Sequence, residues 1–86
     1  MENEPYNKIK ELKEKGVSPL YRIWIINQEQ DDETYDVTVW DEYKKDIVYE
    51  LEVCGLGTLE HAEEEVERIV KGNPNITFVR TEMKNN

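Results

Sequence analysis

The chain has 86 residues, enough for one small domain, and carries 20 Asp and Glu against 11 Lys and Arg, for a formal charge of −9. No apolar run approaches the roughly 20 residues that cross a bilayer, and the acidic residues 1–5 do not resemble a secretory leader. The single cysteine, Cys54, excludes an internal disulfide and a cysteine zinc site. We therefore expect one cytoplasmic domain over residues 1–86, flexible at 1–3 and 83–86.

The first two thirds of the chain predict one helix followed by three strands. Residues 4–15 carry apolar side chains at helical spacing, and Gly16 favours a left-handed end to that helix. Residues 20–28 are rich in Ile, Trp and Tyr, which is typical of a strand. Residues 34–40 and 46–54 alternate between apolar and polar side chains. Because the connections between these strands are short, we expect an antiparallel meander.

A second helix and a last strand complete the predicted order. Thr58 suits the N-cap of a helix that runs to Lys71 with an apolar stripe along one side, and residues 76–81 predict a short strand. The order α-β-β-β-α-β predicts a single α+β domain in which both helices pack on one face of an antiparallel sheet. If Tyr21, Ile23 and Ile25 point inward, the other face is left exposed. That face is expected to carry Arg22, Trp24, Asp36, Thr38, Trp40, Glu50 and Glu52.

The negative charge is unevenly distributed along the chain. Residues 1–27 hold four acids and five bases, for a net charge of +1, whereas residues 28–86 hold sixteen acids and six bases, for a net charge of −10. Such a field repels nucleic acid and anionic lipid and attracts basic surfaces. We therefore expect neither direct nucleic-acid binding nor membrane binding, although solubility alone is an ordinary reason for an acidic surface.

Carboxylates recur along one side of the second predicted helix. Glu60, Glu63, Glu64 and Glu67 follow i, i+3, i+4 and i+7 spacing. At the rise of an α-helix this stripe spans about 10 Å, so that several carboxylates could occupy phosphate-like positions. Repulsion within the stripe costs a few tenths of a kcal/mol per pair. A plain solvated helix face explains the same pattern equally well.

Further acids are predicted in the first hairpin loop and on the exposed sheet face. A folded band of carboxylates fits the groove of a DNA- or RNA-binding protein, where it would take the Lys and Arg contacts that phosphates use. We therefore predict an acidic nucleic-acid mimic that binds the basic surface of a host protein. The predicted partner-binding residues are Glu29, Asp31, Asp32, Glu33, Asp36, Trp40, Glu50, Glu52, Glu60, Glu63, Glu64 and Glu67.

Trp24 and Trp40 give the alternative prediction. An exposed Trp among polar groups is a common anchor at protein interfaces, whereas a Trp in the core carries no such function. Trp40 alternates with Asp36 and Thr38 and is the better candidate for exposure. On this hypothesis the chain is a non-catalytic interaction module or a homodimer.

Catalytic and metal-binding patterns have little support, so we expect no enzyme activity, cofactor or metal. Cys54 and His61 flank a Gly-Leu-Gly turn, but a nucleophile pair also needs an orienting group and an oxyanion site. The Gly55–Gly57 segment lacks the Gly-Lys-Ser/Thr signature of a phosphate loop. The acids of the first hairpin loop lack the spacing of a calcium loop.

The segment from Lys8 to Val70 resembles the α-β-β-β-α layout of double-stranded-RNA-binding domains. Pro19-Leu20-Tyr21 is similar to the Pro-x-Tyr start of that family's first strand, and residues 55–63 are similar to the start of its last helix. The resemblance does not imply RNA binding, because Leu59 and Glu60 stand where the family has the lysines that grip phosphates.

In size, charge and α+β order the chain is also similar to small acidic bacteriophage proteins that inhibit host factors, among them DNA mimics and anti-CRISPRs. This class shares no single fold. The resemblance implies a phage-encoded, anti-defence inhibitor in the host cytoplasm, with a basic nucleic-acid-binding host protein as its partner.

Overall fold

The computed structural model describes residues 4–28 and 34–81. These residues form a compact α+β domain of two helices and a five-stranded sheet, which confirms the predicted fold class. Neither helix in these ranges is long and apolar enough to cross a membrane. In chain order the elements are α1 (Glu4–Glu14), β1 (Leu20–Gln28), β2 (Thr34–Asp41), β3 (Asp46–Ile47), a 3-10 turn (Tyr49–Leu51), β4 (Val53–Leu56), α2 (Leu59–Gly72) and β5 (Thr77–Arg80).

The sheet is mixed, so the prediction of a purely antiparallel sheet was wrong. β2 pairs antiparallel with β1, and β3 and β4 both pair with the other side of β2. β5 pairs parallel with the outer side of β1, with Tyr21 opposite Phe78. The direction of β5 follows from α2, because the chain leaves the sheet at β4, runs back through the helix and re-enters at the far edge.

The strand predicted over residues 46–54 is broken in two, which adds one strand to the predicted order. β3 pairs with Trp40 and Asp41, whereas β4 pairs nearer the start of β2. Between them the chain turns on itself: the amide of Leu51 donates to the carbonyl of Val48 and the amide of Glu52 donates to Tyr49. These bonds replace ladder bonds, and Tyr49 consequently remains 68% exposed.

The two helices pack on opposite faces of the sheet, so the prediction that they share one face was wrong. α2 buries Ala62, Val66 and Ile69 in the larger core, where they meet Ile23 and its neighbours on β2. α1 buries Ile9 in a second cluster with Leu20 and Val79. The cause is strand alternation: Leu20 and Ile23 are three residues apart on β1 and therefore point to opposite faces.

The predicted start of α2 and the predicted left-handed end of α1 are confirmed, whereas α2 runs one residue beyond the predicted Lys71, to Gly72. The Thr58 hydroxyl accepts a hydrogen bond from the amide of His61 at 3.0 Å, as an N-cap does. Gly16 takes a left-handed conformation with φ of 76° just after α1. This conformation is energetically unfavourable for other L-amino acids, whereas glycine adopts it readily because it has no Cβ atom.

Two separate cores predict additive stability changes. Ile9→Val and Ile69→Val each remove one methylene group from a buried site on opposite faces, and each is expected to lower the unfolding free energy by about 0.5–1.5 kcal/mol. Because the two sites share no partner, the double variant should equal the sum to within about 0.5 kcal/mol in chemical denaturation. The control is the double variant Ile23→Val, Ile69→Val, because both of these residues lie in the larger core. A stronger coupling between residues 9 and 69 than within that pair would contradict the two-faced fold.

Candidate functional site

The sheet face that α2 does not cover carries a groove of about 560 Å³, here called the open groove. It exists because even-numbered side chains of β1 and β2 point to this face and α1 packs beside them on Leu20 and Val79. Six of the seven residues predicted for the exposed face line it, and only Glu50, on the 3-10 turn, does not. The lining residues are Arg22, Trp24, Ile26, Asp36, Thr38, Trp40, Glu42, Lys45, Ile47 and Glu52.

Two tryptophans form part of the groove wall. Trp24 lies opposite Thr38 and Trp40 lies opposite Arg22, so the two indoles are diagonal neighbours on one face. Both are half-buried. The Trp24 Nε1 atom is buried and has no hydrogen-bond partner within the described ranges. Buried Trp N–H groups usually have such a partner, so this donor is notable.

A buried carboxylate closes one end of the groove. Glu42 follows β2 directly and its side chain is only 2% exposed. Its Oε2 accepts a hydrogen bond from Arg22 Nε at 2.6 Å, and its Oε1 lies 3.3 Å from Lys13 Nζ and 3.7 Å from Lys45 Nζ. Burial alone would raise the pKa of this carboxyl. The hydrogen bonds and charges of Arg22 and Lys13 outweigh burial and hold the pKa below its ordinary value of 4.5.

The turn that carries Glu42 is fixed by its neighbours. Asp41 Oδ1 accepts hydrogen bonds from the amides of Tyr43 and Lys44 at 2.8 and 3.0 Å. The Tyr43 hydroxyl donates to the carbonyl of Val17 at 2.7 Å, and the Lys13 ammonium lies 5.9 Å from the centre of the Tyr43 ring. The turn is therefore attached to the end of α1 and to the loop that follows it. Sequence reasoning missed this arrangement, because nothing in the sequence marks Glu42 as a buried acid.

The groove has opposite charges at its two ends. Lys45 and Arg22 lie near Trp40, whereas Asp36 lies four residues away along β2. Four residues of strand span about 13 Å. Asp36 Oδ1 also accepts the amide of Gly55 at 3.0 Å, which ties β4 to β2, and Glu52 adds a half-buried carboxylate. The open groove is therefore complementary to a ligand that carries both a positive and a negative group.

The predicted acidic stripe of α2 lies on the other side of the sheet from the open groove. The two terminal guanidinium nitrogens of Arg80 donate hydrogen bonds to the two carboxylate oxygens of Glu63 at 2.5 and 2.7 Å, and these bonds lower the pKa of Glu63. Glu60, Glu64 and Glu67 are exposed and form no ion pair with any described residue. The helix acids and the sheet acids are therefore separate surfaces. Of the other predicted residues, Glu50 is exposed on the 3-10 turn, and Glu29, Asp31, Asp32 and Glu33 lie outside the described residues.

The residues considered for chemistry do not form a reactive pair. Cys54 is exposed on β4; desolvation raises the pKa of its thiol, and the carboxylates of Asp36 and Glu52 raise it further. The thiolate that a nucleophile requires is therefore disfavoured. His61 Nε2 lies 3.8 Å from Glu65 instead. Among residues 4–28 and 34–81, no group of three or more His, Cys, Asp or Glu is arranged to hold a metal ion.

Comparison with known proteins finds no relative: no protein-family model, no curated protein and no solved structure matches the chain. The likeness to the double-stranded-RNA-binding layout and to acidic phage inhibitors therefore remains an interpretation of the sequence.

Glu42→Gln is expected to destabilise the protein and to flatten its response to acid. At pH 7 the loss of the charge-assisted hydrogen bond should cost about 1.5–3 kcal/mol of unfolding free energy. Because the folded pKa is lowered, the wild-type carboxylate contributes its stability above pH 4.5 and loses it as the pH falls below that value. The wild type should therefore lose more stability between neutral and acid pH than the variant.

Urea unfolding followed by circular dichroism between pH 7 and pH 3 measures both effects. Glu50→Gln is the control, because Glu50 is exposed on the 3-10 turn; its effect should stay within about 0.5 kcal/mol. If the wild type and the Glu42 variant lose the same unfolding free energy at acid pH, the Glu42 carboxylate is not the group that causes the acid sensitivity.

Proposed function

We propose that the protein is a non-catalytic binding module that holds a partner protein in the open groove, with Trp24 and Trp40 as its anchors. The observation that carries this proposal is the pair of half-buried tryptophans on a sheet face that α2 leaves uncovered. Tryptophan is among the residues that contribute most to protein interfaces, especially where it lies in a pocket ringed by polar groups. The open groove has that composition.

The groove also indicates which partner would fit. Its volume of about 560 Å³ is that of a typical ligand pocket and suits one or two side chains. Ile26, Ile47 and the two indoles offer apolar contact to a side chain of the partner. Asp36 and Glu52 favour a basic group at their end. We therefore propose a partner segment with an apolar or aromatic side chain followed by a Lys or Arg.

Trp40→Ala is expected to weaken partner binding by about 30-fold or more, the effect of losing a dominant interface residue. The partner would first be captured on immobilised wild-type protein, purified and titrated by calorimetry. Tyr49→Ala is the matched control, because Tyr49 is a large exposed aromatic outside the groove. Sedimentation of the free protein reports whether a second copy is the occupant. Equal losses from Trp40→Ala and Tyr49→Ala, or no loss from either, would contradict the proposal.

Nucleic-acid mimicry by α2 is a second candidate, and a different observation favours it. Glu60, Glu64 and Glu67 are exposed on one helix and form no ion pair with the described residues, in a chain of net charge −9. These carboxylates are available to the Lys and Arg of a basic groove. The mimic would use the side of the sheet opposite the open groove.

Reversing Glu60, Glu64 and Glu67 to Lys tests mimicry. The triple variant should lose binding to a basic partner by at least about 30-fold at low salt, and the wild-type affinity should fall steeply as salt rises. A triple variant with Glu11, Asp46 and Glu50 changed to Lys has the same net charge, lies outside α2 and both cavities, and serves as the control. If both triple variants lose the same affinity, only overall charge matters and α2 is not a specific surface.

A further inference from the structure

A second pocket, of about 450 Å³, lies between α1 and the turn after β2, and we call it the basic pocket. It brings four cations together with only two carboxylates, although the whole chain carries a net charge of −9. It adjoins the open groove, because Arg22, Glu42 and Lys45 line both cavities. The lining residues are Ile9, Lys10, Lys13, Glu14, Arg22, Glu42 and Lys45.

Two ammonium groups compete for one carboxylate oxygen in this pocket. Lys13 Nζ and Lys45 Nζ lie 3.3 and 3.7 Å from the same Oε1 of Glu42, while Oε2 is taken by Arg22. The neighbouring Lys13 ammonium, which shares the same carboxylate oxygen, lowers the pKa of Lys45 below its ordinary value of 10.5. The two carboxylates, Glu14 and Glu42, do not neutralise the four cations, so the pocket keeps a local positive excess.

The backbone of Lys45 adopts an energetically unfavourable conformation, which places its side chain in the basic pocket. Lys45 has φ of 57°, in the left-handed region that glycine and asparagine occupy more readily. Its amide donates to the Asp41 carbonyl at 2.9 Å, which closes the turn and directs residue 45 toward Glu42. Non-glycine residues held in this region occur preferentially at ligand-binding sites. A glycine would make the turn more cheaply but would supply no ammonium.

We propose that the basic pocket binds the phosphate group of a phosphomonoester, and that the body of this ligand extends over Trp40 in the open groove. A phosphomonoester carries close to two negative charges at neutral pH, which matches the excess of cations over carboxylates. Lysine ammonium groups are common phosphate ligands in proteins. The phosphate contacts stand on α1 and the turn after β2, whereas the body of the ligand shares Trp40 with the proposed partner protein, so the two should compete for the open groove.

The test is a titration of ¹⁵N-labelled protein with inorganic phosphate, phenyl phosphate and benzoate at constant ionic strength. Phosphate should shift the amide signals of Lys13 and Lys45 with saturation. Phenyl phosphate should bind more tightly and also shift the Trp40 indole signal. Lys45→Gln should weaken both by about three- to tenfold, as expected from losing one exposed charge-assisted hydrogen bond. Lys44→Gln, its neighbour outside the pocket, should change neither.

Lys45→Gly separates ligand binding from a purely structural role. It removes the same ammonium as Lys45→Gln but relieves the left-handed conformation, so its melting temperature should be equal to or higher than that of Lys45→Gln, while phosphate affinity falls as in that variant. Shifts that do not saturate, or equal losses in the Lys44 and Lys45 variants, would overturn the phosphate site. Benzoate binding as tightly as phenyl phosphate would overturn the preference for a doubly charged group. If the wild-type protein does not bind phosphate but still captures its partner, this site alone is overturned.

Discussion

The buried carboxylate of Glu42 is the constraint on which both the open groove and the basic pocket depend. A buried charge is unfavourable unless cations and hydrogen bonds surround it. Here the cations come from three different parts of the chain: Lys13 from α1, Arg22 from β1 and Lys45 from the turn after β2. The pairing therefore fixes α1 relative to the sheet. That position decides how much of the sheet face the helix covers and how much stays open as a groove.

Apolar packing alone would hold α1 weakly. Its buried contacts are a small cluster of Ile9 and Leu12 with Leu20 and Val79, whereas α2 rests on the larger core. Tyr43 adds a hydrogen bond to Val17 and stands beside Lys13. The polar contacts around Glu42 thus fix the orientation of α1, whereas the apolar cluster only holds the helix against the sheet. Both cavities share the Glu42 carboxylate and the Lys45 ammonium as walls, so the same contacts shape them.

The sequence predicts the elements better than their arrangement. Both helices, the first two strands and the N-cap at Thr58 follow from local periodicity and capping chemistry. The strand over residues 46–54 does not, because alternation continues through the 3-10 turn although the backbone leaves the ladder. The apolar residues on both sides of β1 were the available sign that each sheet face receives a helix. The face on which α1 packs depends on the contact between Leu20 on β1 and Val79 on β5. This contact could not be predicted, because the two strands are far apart in the sequence.

Five residues of the candidate site follow from strand alternation, because the even-numbered side chains of β1 and β2 share one face: Arg22, Trp24, Asp36, Thr38 and Trp40. Glu52, the sixth predicted residue in the groove, directly follows the 3-10 turn. Glu42 could not be predicted, because its burial depends on cations that converge only in three dimensions. The distribution of charge along the sequence also does not show where the charged side chains lie in the folded protein. The acids of α2 and those of the open groove lie on opposite sides of the sheet, and four of the cations meet in the basic pocket. The two proposed functions thus belong to different surfaces and can be separated.

The most direct test of the open groove as the working face is to map the bound partner on ¹⁵N-labelled protein by cross-saturation from that partner. The groove predicts that the amide and indole signals of Trp24, Thr38 and Trp40 lose intensity while those of residues 60–67 on α2 do not. Loss confined to residues 60–67, with the groove signals unchanged, would contradict it.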